Sequence, residues 1–136
     1  MFSLALRLFS GMLALQAAAP PSGADDAEAL VDRFMTAIER RDDSASSMLT
    51  DNAMMGAGDV GGPLVVPAIQ DLVGMMTDYC RRTGVATRPE TLESLGAEAI
   101  VVVARYVCIT PEDPAGHEVT WNYIIVGGRI AAIYMS

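Results

Sequence analysis

From Val85 to the C-terminus the apolar residues stop recurring at helical spacing and alternate instead, and this change of period constrains the fold more than any other feature of the chain. Val85 to Leu95 reads as one strand that turns near Gly96, and Glu98 to Ile109 contains AIVVVARYVCI, long and apolar enough to be central in a sheet. TPEDPAGH, with two prolines, reads as a loop that carries His117. EVTWNYIIV and RIAAIYM are joined by Gly127-Gly128, a pair suited to a two-residue hairpin turn in which both positions need positive φ.

With that turn, Val126 pairs with Arg129, and strict alternation places Trp121, Tyr123 and Ile125 on one face with Ile130, Ala132 and Tyr134. Asn122, Ile124, Ala131, Ile133 and Met135 fall on the other. Both faces are largely apolar, whereas an antiparallel sheet covered on one side alternates apolar with polar. A second copy of the same sheet is the economical cover, so the pattern predicts a homodimer. Which face turns inward stays open at this level. Trp121 and Tyr134 are the candidate interface residues.

Upstream the period is helical. Leu30, Val31, Phe34, Met35 and Ile38 form one apolar face, Asp25 and Glu28 have the spacing of a capping box, and Asp32, Arg33, Thr36, Glu39 and Arg40 read as the solvated side. Asp42 and Asp43 can cap a short second helix that brings Met48 and Leu49 inward. A small hairpin follows in AMMGAGDVGGPLVV. A third helix starts near Pro67, buries Ile69, Leu72, Val73, Met76 and Cys80, and stops by Gly84, with Arg81 and Arg82 complementing its dipole.

GAGDVGG within that hairpin satisfies the spacing G-x-G-x-x-G through Gly56, Gly58 and Gly61. A dinucleotide fingerprint requires a helix to leave the loop at once, so that its N-terminus meets the pyrophosphate. Pro63, Leu64, Val65 and Val66 intervene, and no alternating strand–helix units exist to build a parallel sheet. No cofactor is therefore assigned, and the glycines are read as a turn at the rim of a cavity.

The first 24 residues, MFSLALRLFSGMLALQAAAPPSGA, have one cation at Arg7, an apolar run from Leu8 to Leu15, and then small residues, the order of a secretory signal. Residues 1–24 are thus expected to be an export signal and 25–136 the domain, periplasmic or secreted in a bacterium. The formal net charge is −8 and no lysine is present, so phosphate backbones and anionic membrane surfaces are poor partners. Cys80 and Cys108 are the only cysteines, too few with the single His117 for a structural zinc site. In an exported chain they pair as one disulfide; otherwise they are two separate buried thiols.

Three helices interrupted by a hairpin, then four antiparallel strands to the terminus, is an order that resembles the nuclear transport factor 2-like (SnoaL-like) superfamily. LVDRFMTAIERRDDSASSMLTDNAMM is similar to that superfamily's opening helices and first strand, and TWNYIIVGGRIAAIYMS to its closing hairpin. The resemblance covers about residues 25–136. It implies an α+β fold, a cone-shaped, cystatin-like roll with N-terminal helices packed on a curved antiparallel sheet, a pocket in the open end and frequent dimers.

Members include isomerases, dehydratases, hydrolases, polyketide cyclases and domains without catalysis, so the fold does not choose an activity. The reading taken is an exported binder of a small, mostly apolar molecule, with Met55, Met76 and Asn122 lining the pocket. The alternative is an acid–base enzyme with Asp59 as base and Tyr106 or Tyr123 as hydrogen-bond donor, since Ala99–Ile109 carries no carboxylate. A third reading is a protein–protein association module that uses the face around Trp121.

Overall fold

The computed structural model describes residues 22–92 and 97–136, so the expected export signal, through residue 21, and the turn near Gly96 lie outside the described residues. Helix α1 (Ser22–Arg40) is followed by a 3-10 turn (Asp43–Met48), strands β1 (Leu49–Ala57) and β2 (Val60–Pro63), helix α2 (Val66–Tyr79), and strands β3 (Cys80–Leu92), β4 (Ala97–Thr110), β5 (Asp113–Val126) and β6 (Arg129–Met135). The strands form one six-stranded sheet in the order β2-β1-β6-β5-β4-β3. It is mixed and not purely antiparallel, because β1 runs parallel to β6.

Both helices lie on one face of the sheet. Leu30, Val31, Phe34 and Ile38 from α1 and Ile69 and Val73 from α2 pack on Val102, Ala104, Trp121, Tyr123, Ile130 and Ile133 from the strands. The apolar stripe read from the sequence is therefore the stripe that is buried. α1 begins at Ser22, three residues before the expected domain boundary, so Asp25 sits in its first turn and does not cap it. At the other end Arg41 adopts φ 53°, and the Asp42 amide donates to the Ala37 carbonyl at 2.9 Å, which closes the helix with a left-handed residue. Asp42 then caps the 3-10 turn by accepting from the Ser44 amide at 2.9 Å. That bond holds the Asp42 carboxyl below its ordinary value.

The G-x-G-x-x-G segment is a two-residue hairpin. Ala57 pairs with Val60, Gly58 takes φ 60° in the turn, and Gly56 and Gly61 face each other across β1 and β2. A Cβ on Gly56 would stand 2.9 Å from the Val60 carbonyl oxygen and 3.1 Å from the Tyr134 ring, so the spacing has a packing cause. The closing hairpin is as expected: Val126 pairs with Arg129, and Gly127 and Gly128 both take positive φ.

Three further expectations are corrected. Helix α2 stops at Tyr79 and passes directly into β3, so Cys80 begins a strand, Arg81 and Arg82 lie in that strand, and Gly84 is a strand residue beside a register shift. TPEDPAGH is not a loop, since β5 already starts at Asp113 and His117 pairs with Cys108. A bulge at Ala131 breaks the alternation of the last hairpin: Ile125 pairs with Ile130, but Ile124 pairs with Ala132 and Tyr123 with Ile133. Trp121 and Tyr134 therefore face opposite ways. Trp121 is 1% exposed under the helices, while Tyr134 is 45% exposed on the outer face, so they do not form one patch.

Candidate functional site

The chemistry-bearing residues gather where α1, α2, the start of β3 and the middle of β4 meet. There they surround a cavity of about 410 Å³. α1 contributes Asp32, Thr36 and Glu39 together with Met35, a stripe at helical spacing beside its buried face. α2 contributes Val73, Met76 and Thr77, β3 contributes Cys80 and Arg82, and β4 contributes Tyr106. The lining thus combines apolar and sulfur-bearing side chains with charged and hydroxyl groups.

Arg82 reaches across the mouth to α1, where its Nη1 donates to Asp32 Oδ1 at 3.1 Å. The pair is about half exposed, so its worth is that of a surface bridge, at most about 1 kcal/mol. It spans two elements and orders the entrance. The Asp32 carboxylate also raises the Arg82 guanidinium above its already high value.

Beneath this bridge lie two phenols. Tyr106 lines the cavity and meets Trp121 edge-on with ring centroids 6.5 Å apart, and Trp121 in turn lies 6.1 Å from Tyr123. Burial pushes both phenols above their ordinary value, Tyr123 the further, with the nearby Tyr106 adding to it and Arg82 partly offsetting both. Both are therefore neutral donors across the physiological range. The Tyr123 hydroxyl is completely buried; the Tyr106 hydroxyl is close enough to perturb its proton but does not meet hydrogen-bond geometry, and no other described group does. An unpaired buried donor costs about 1–3 kcal/mol, which sets it apart in a chain with no other buried side-chain polar atom left unpaired among the described residues.

Of the residues singled out from the sequence, Tyr106 and Met76 line this cavity, and Tyr123 lies buried behind Tyr106 without lining it. Asp59 does not: it is exposed in the β1–β2 turn, at the opposite edge of the sheet from β3, and does not line this cavity. Met55 packs against the core from β1, away from this cavity. Asn122 lies on the outer face, where its Nδ2 donates to the Tyr134 carbonyl at 3.3 Å, so it does not line the pocket. Cys80 and Cys108 are bonded to each other. The residues missed are Asp32, Glu39 and Arg82. The helical spacing of Asp32, Thr36 and Glu39 is the available signal, but it resembles an ordinary solvated face, and the sequence pattern puts Arg82 at the end of a helix.

A second hollow, about 770 Å³, lies at the other end of α1 between Leu30, Ile100, Ile125 and the Gly127-Gly128 turn. Its charged groups, Asp26, Arg33, Glu90 and Glu98, are exposed, as are those of the smaller cavity, but no aromatic side chain lines it, whereas Tyr106 lines the other. The smaller cavity is therefore the candidate site. No group of three or more His, Cys, Asp or Glu side chains fit to hold a metal occurs among the described residues.

No family profile matches the sequence, and no curated protein does. Solved structures do resemble it. ActVI-ORFA from Streptomyces coelicolor superposes with a TM-score of 0.53 at 8% identity, over 85% of this chain and 96% of that one. A candidate polyketide cyclase from Sinorhizobium meliloti gives 0.50 at 16% identity, over 79% and 93%. A de novo designed protein with a curved β-sheet gives 0.51 at 11% identity, over 82% and 84%. The chain has the nuclear transport factor 2-like α+β fold, helices on a curved open sheet. That a designed protein shares it shows why function has to be argued from the cavity.

Proposed function

We propose that the chain binds a small, mostly apolar, uncharged molecule in the cavity beneath the Asp32–Arg82 bridge, and holds one acceptor oxygen of it with the Tyr106 and Tyr123 hydroxyls. The observation that carries this reading is the buried Tyr123 hydroxyl, which makes no hydrogen bond and lies behind the cavity-lining Tyr106, so that a ligand reaches it only as Tyr106 gives way. A neutral phenol has a proton to donate, and a carbonyl-type oxygen would relieve its unpaired state. Asp32 and Glu39 outnumber Arg82, which disfavours a carboxylate ligand. Met35, Met76 and Val73 suit an apolar body of varied shape. The likeness to a candidate polyketide cyclase is compatible with such a ligand.

Trp121 is the only tryptophan and sits edge-on to Tyr106, so its fluorescence reports occupancy. Titration with neutral apolar ketones and lactones is expected to change that emission saturably. Tyr123→Phe should weaken the binding about tenfold, the value of one hydrogen bond, and leave stability near pH 7 unchanged or slightly higher. No saturable change with any compound, or equal affinity in the variant, would overturn the reading.

The same variant has a second signature. In the folded state the phenol releases its proton at higher pH than in the unfolded chain, so the contribution to stability is complete below about pH 10 and is lost as pH rises beyond it. Melts between pH 8 and 11 should show a steeper alkaline loss in the wild type than in Tyr123→Phe.

An acid–base enzyme is the alternative. It is favoured by the carboxylates of Asp32 and Glu39, which share the cavity with Tyr106, and its base moves from Asp59 to one of these. A ligand recovered chemically unchanged after incubation supports binding over turnover.

The protein is further proposed to work outside the cytoplasm as a homodimer. The Cys80–Cys108 bond suits an oxidising compartment, and no helix among the described residues is long and apolar enough to cross a membrane. On the outer face of the sheet Val103 and Ile124 are half-buried, and Met54 and Tyr134 are exposed beside them. Light scattering on the eluting protein should give twice the chain mass, and Val103→Asp should give a folded monomer. A monomeric wild type would sink this part of the proposal.

A further inference from the structure

We infer that the Cys80–Cys108 disulfide is a thiol–disulfide exchange site for a low-molecular-weight thiol, with His117 as the proton donor to the leaving sulfur. The inference rests on a row of side chains that the sheet register assembles and does not depend on which ligand the cavity takes, although a bound ligand would hinder the thiol, which reaches Cys80 through the same cavity. Cys80 on β3 pairs directly with Cys108 on β4, which pairs directly with His117 on β5. Directly opposed residues project to the same side of a sheet with Cβ atoms about 5 Å apart, so the three side chains stand side by side.

His117 is also oriented. Beyond Cys108 the register shifts so that Thr110 pairs with Asp113, whose amide donates to Thr110 Oγ1 at 3.1 Å. The Asp113 carboxylate then accepts from His117 Nδ1 at 2.9 Å, which leaves Nε2 as the free nitrogen. Gly116 allows the close approach of the two strands: it takes φ 81°, and a Cβ there would stand 3.1 Å from Ile109 Cγ1 and 3.4 Å from the Cys108 carbonyl oxygen.

The two sulfurs are unequally placed. Cys80 lines the cavity and is partly accessible, whereas Cys108 is 4% exposed. An incoming thiolate therefore attacks Cys80 Sγ, and Arg82, which lines the same cavity, favours that anion. The new S–S bond forms as the Sγ–Sγ bond breaks, and the electron pair leaves on Cys108 Sγ. Imidazolium Nε2 of His117 supplies the proton. The products are a mixed disulfide at Cys80, a thiol at Cys108 and a neutral His117 still donating to Asp113. A second thiolate of the same kind attacks the external sulfur of the mixed disulfide and releases Cys80 as thiolate. Two external thiols are thus oxidised to one disulfide, and the protein disulfide is reduced by two electrons. In this scheme Asp113 is a positioning residue.

The test is the rate at which dithiothreitol reduces the native, oxidised full chain, followed by alkylation and mass spectrometry. Native wild-type protein should be reduced well below its melting temperature. His117→Ala should slow the reaction about tenfold without changing the melting temperature by more than a few degrees, and added imidazole should restore part of the rate. Asp113→Asn should slow it less, about threefold, and respond less to imidazole. Equal rates in wild type and His117→Ala, slowing that imidazole does not restore, or wild-type reduction only at the rate of global unfolding would each overturn the inference and leave the bridge structural.

Discussion

Trp121→Ala is expected to lower stability by about 3–5 kcal/mol, a fall in Tm of roughly 10–20 °C for a domain of this size. The indole is 1% exposed and lies at the centre of the inner sheet face, flanked across the ladder by Ala104 and Met135 and edge-on to Tyr106. Alanine on both strands cannot close the space that truncation leaves, because Ala104 is already the smaller partner and the backbone there is held by pairing on both sides. Tyr134→Ala is the control. Its ring is 45% exposed on the opposite face, so its loss should change Tm by a few degrees at most. Thermal melts followed by circular dichroism decide the matter. Comparable losses in the two variants would mean that Trp121 and Tyr134 share a face, as unbroken alternation requires, and that the bulge at Ala131 is absent.

That bulge shows where the sequence stops being readable. Gly127-Gly128 fixes the turn and the first pair unambiguously, because only glycine takes positive φ cheaply at both positions. Face assignment beyond the turn rests on alternation, and one unpaired residue reverses it. Ala131 and Ala132 are alike in size and polarity, so nothing in them signals which one is skipped. The end of α2 is hidden for a similar reason. Tyr79-Cys80-Arg81-Arg82 holds no glycine or proline, and the passage from helix to strand is set by pairing with β4, a contact more than twenty residues away in sequence.

Once Cys80 is placed in a strand, its bond to Cys108 becomes a direct cross-strand pair, and Arg82 swings from a helix end into the cavity. The apolar stripe of α1 was legible because burial of one face dominates its pattern. Asp32, Thr36 and Glu39 were not recognisable as cavity residues, since a charged stripe facing a hollow and one facing solvent have the same spacing.

Replacing both cysteines, Cys80→Ala with Cys108→Ala, is expected to cost roughly 3–4 kcal/mol, the loop-closure entropy that a bridge across this separation removes from the unfolded chain. Local structure points the same way. β3 is an edge strand, paired only with β4, and α2 feeds into it with no intervening loop. Next to the bridge the ladder is interrupted by the register shift between Arg82 and Gly84, so the first residues of β3 depend on the disulfide more than the rest of the strand does. In the double variant the corner at Cys80 should therefore open first. Amides of residues 80–83 should exchange with solvent faster than those of residues 85–90, and Arg82 should lose its hold on Asp32 together with the ligand affinity that depends on an ordered mouth. A double variant that melts within about 2 °C of the oxidised wild type, with equal protection along the whole of β3, would show that the ladder alone holds this corner and that the bond contributes nothing to the fold.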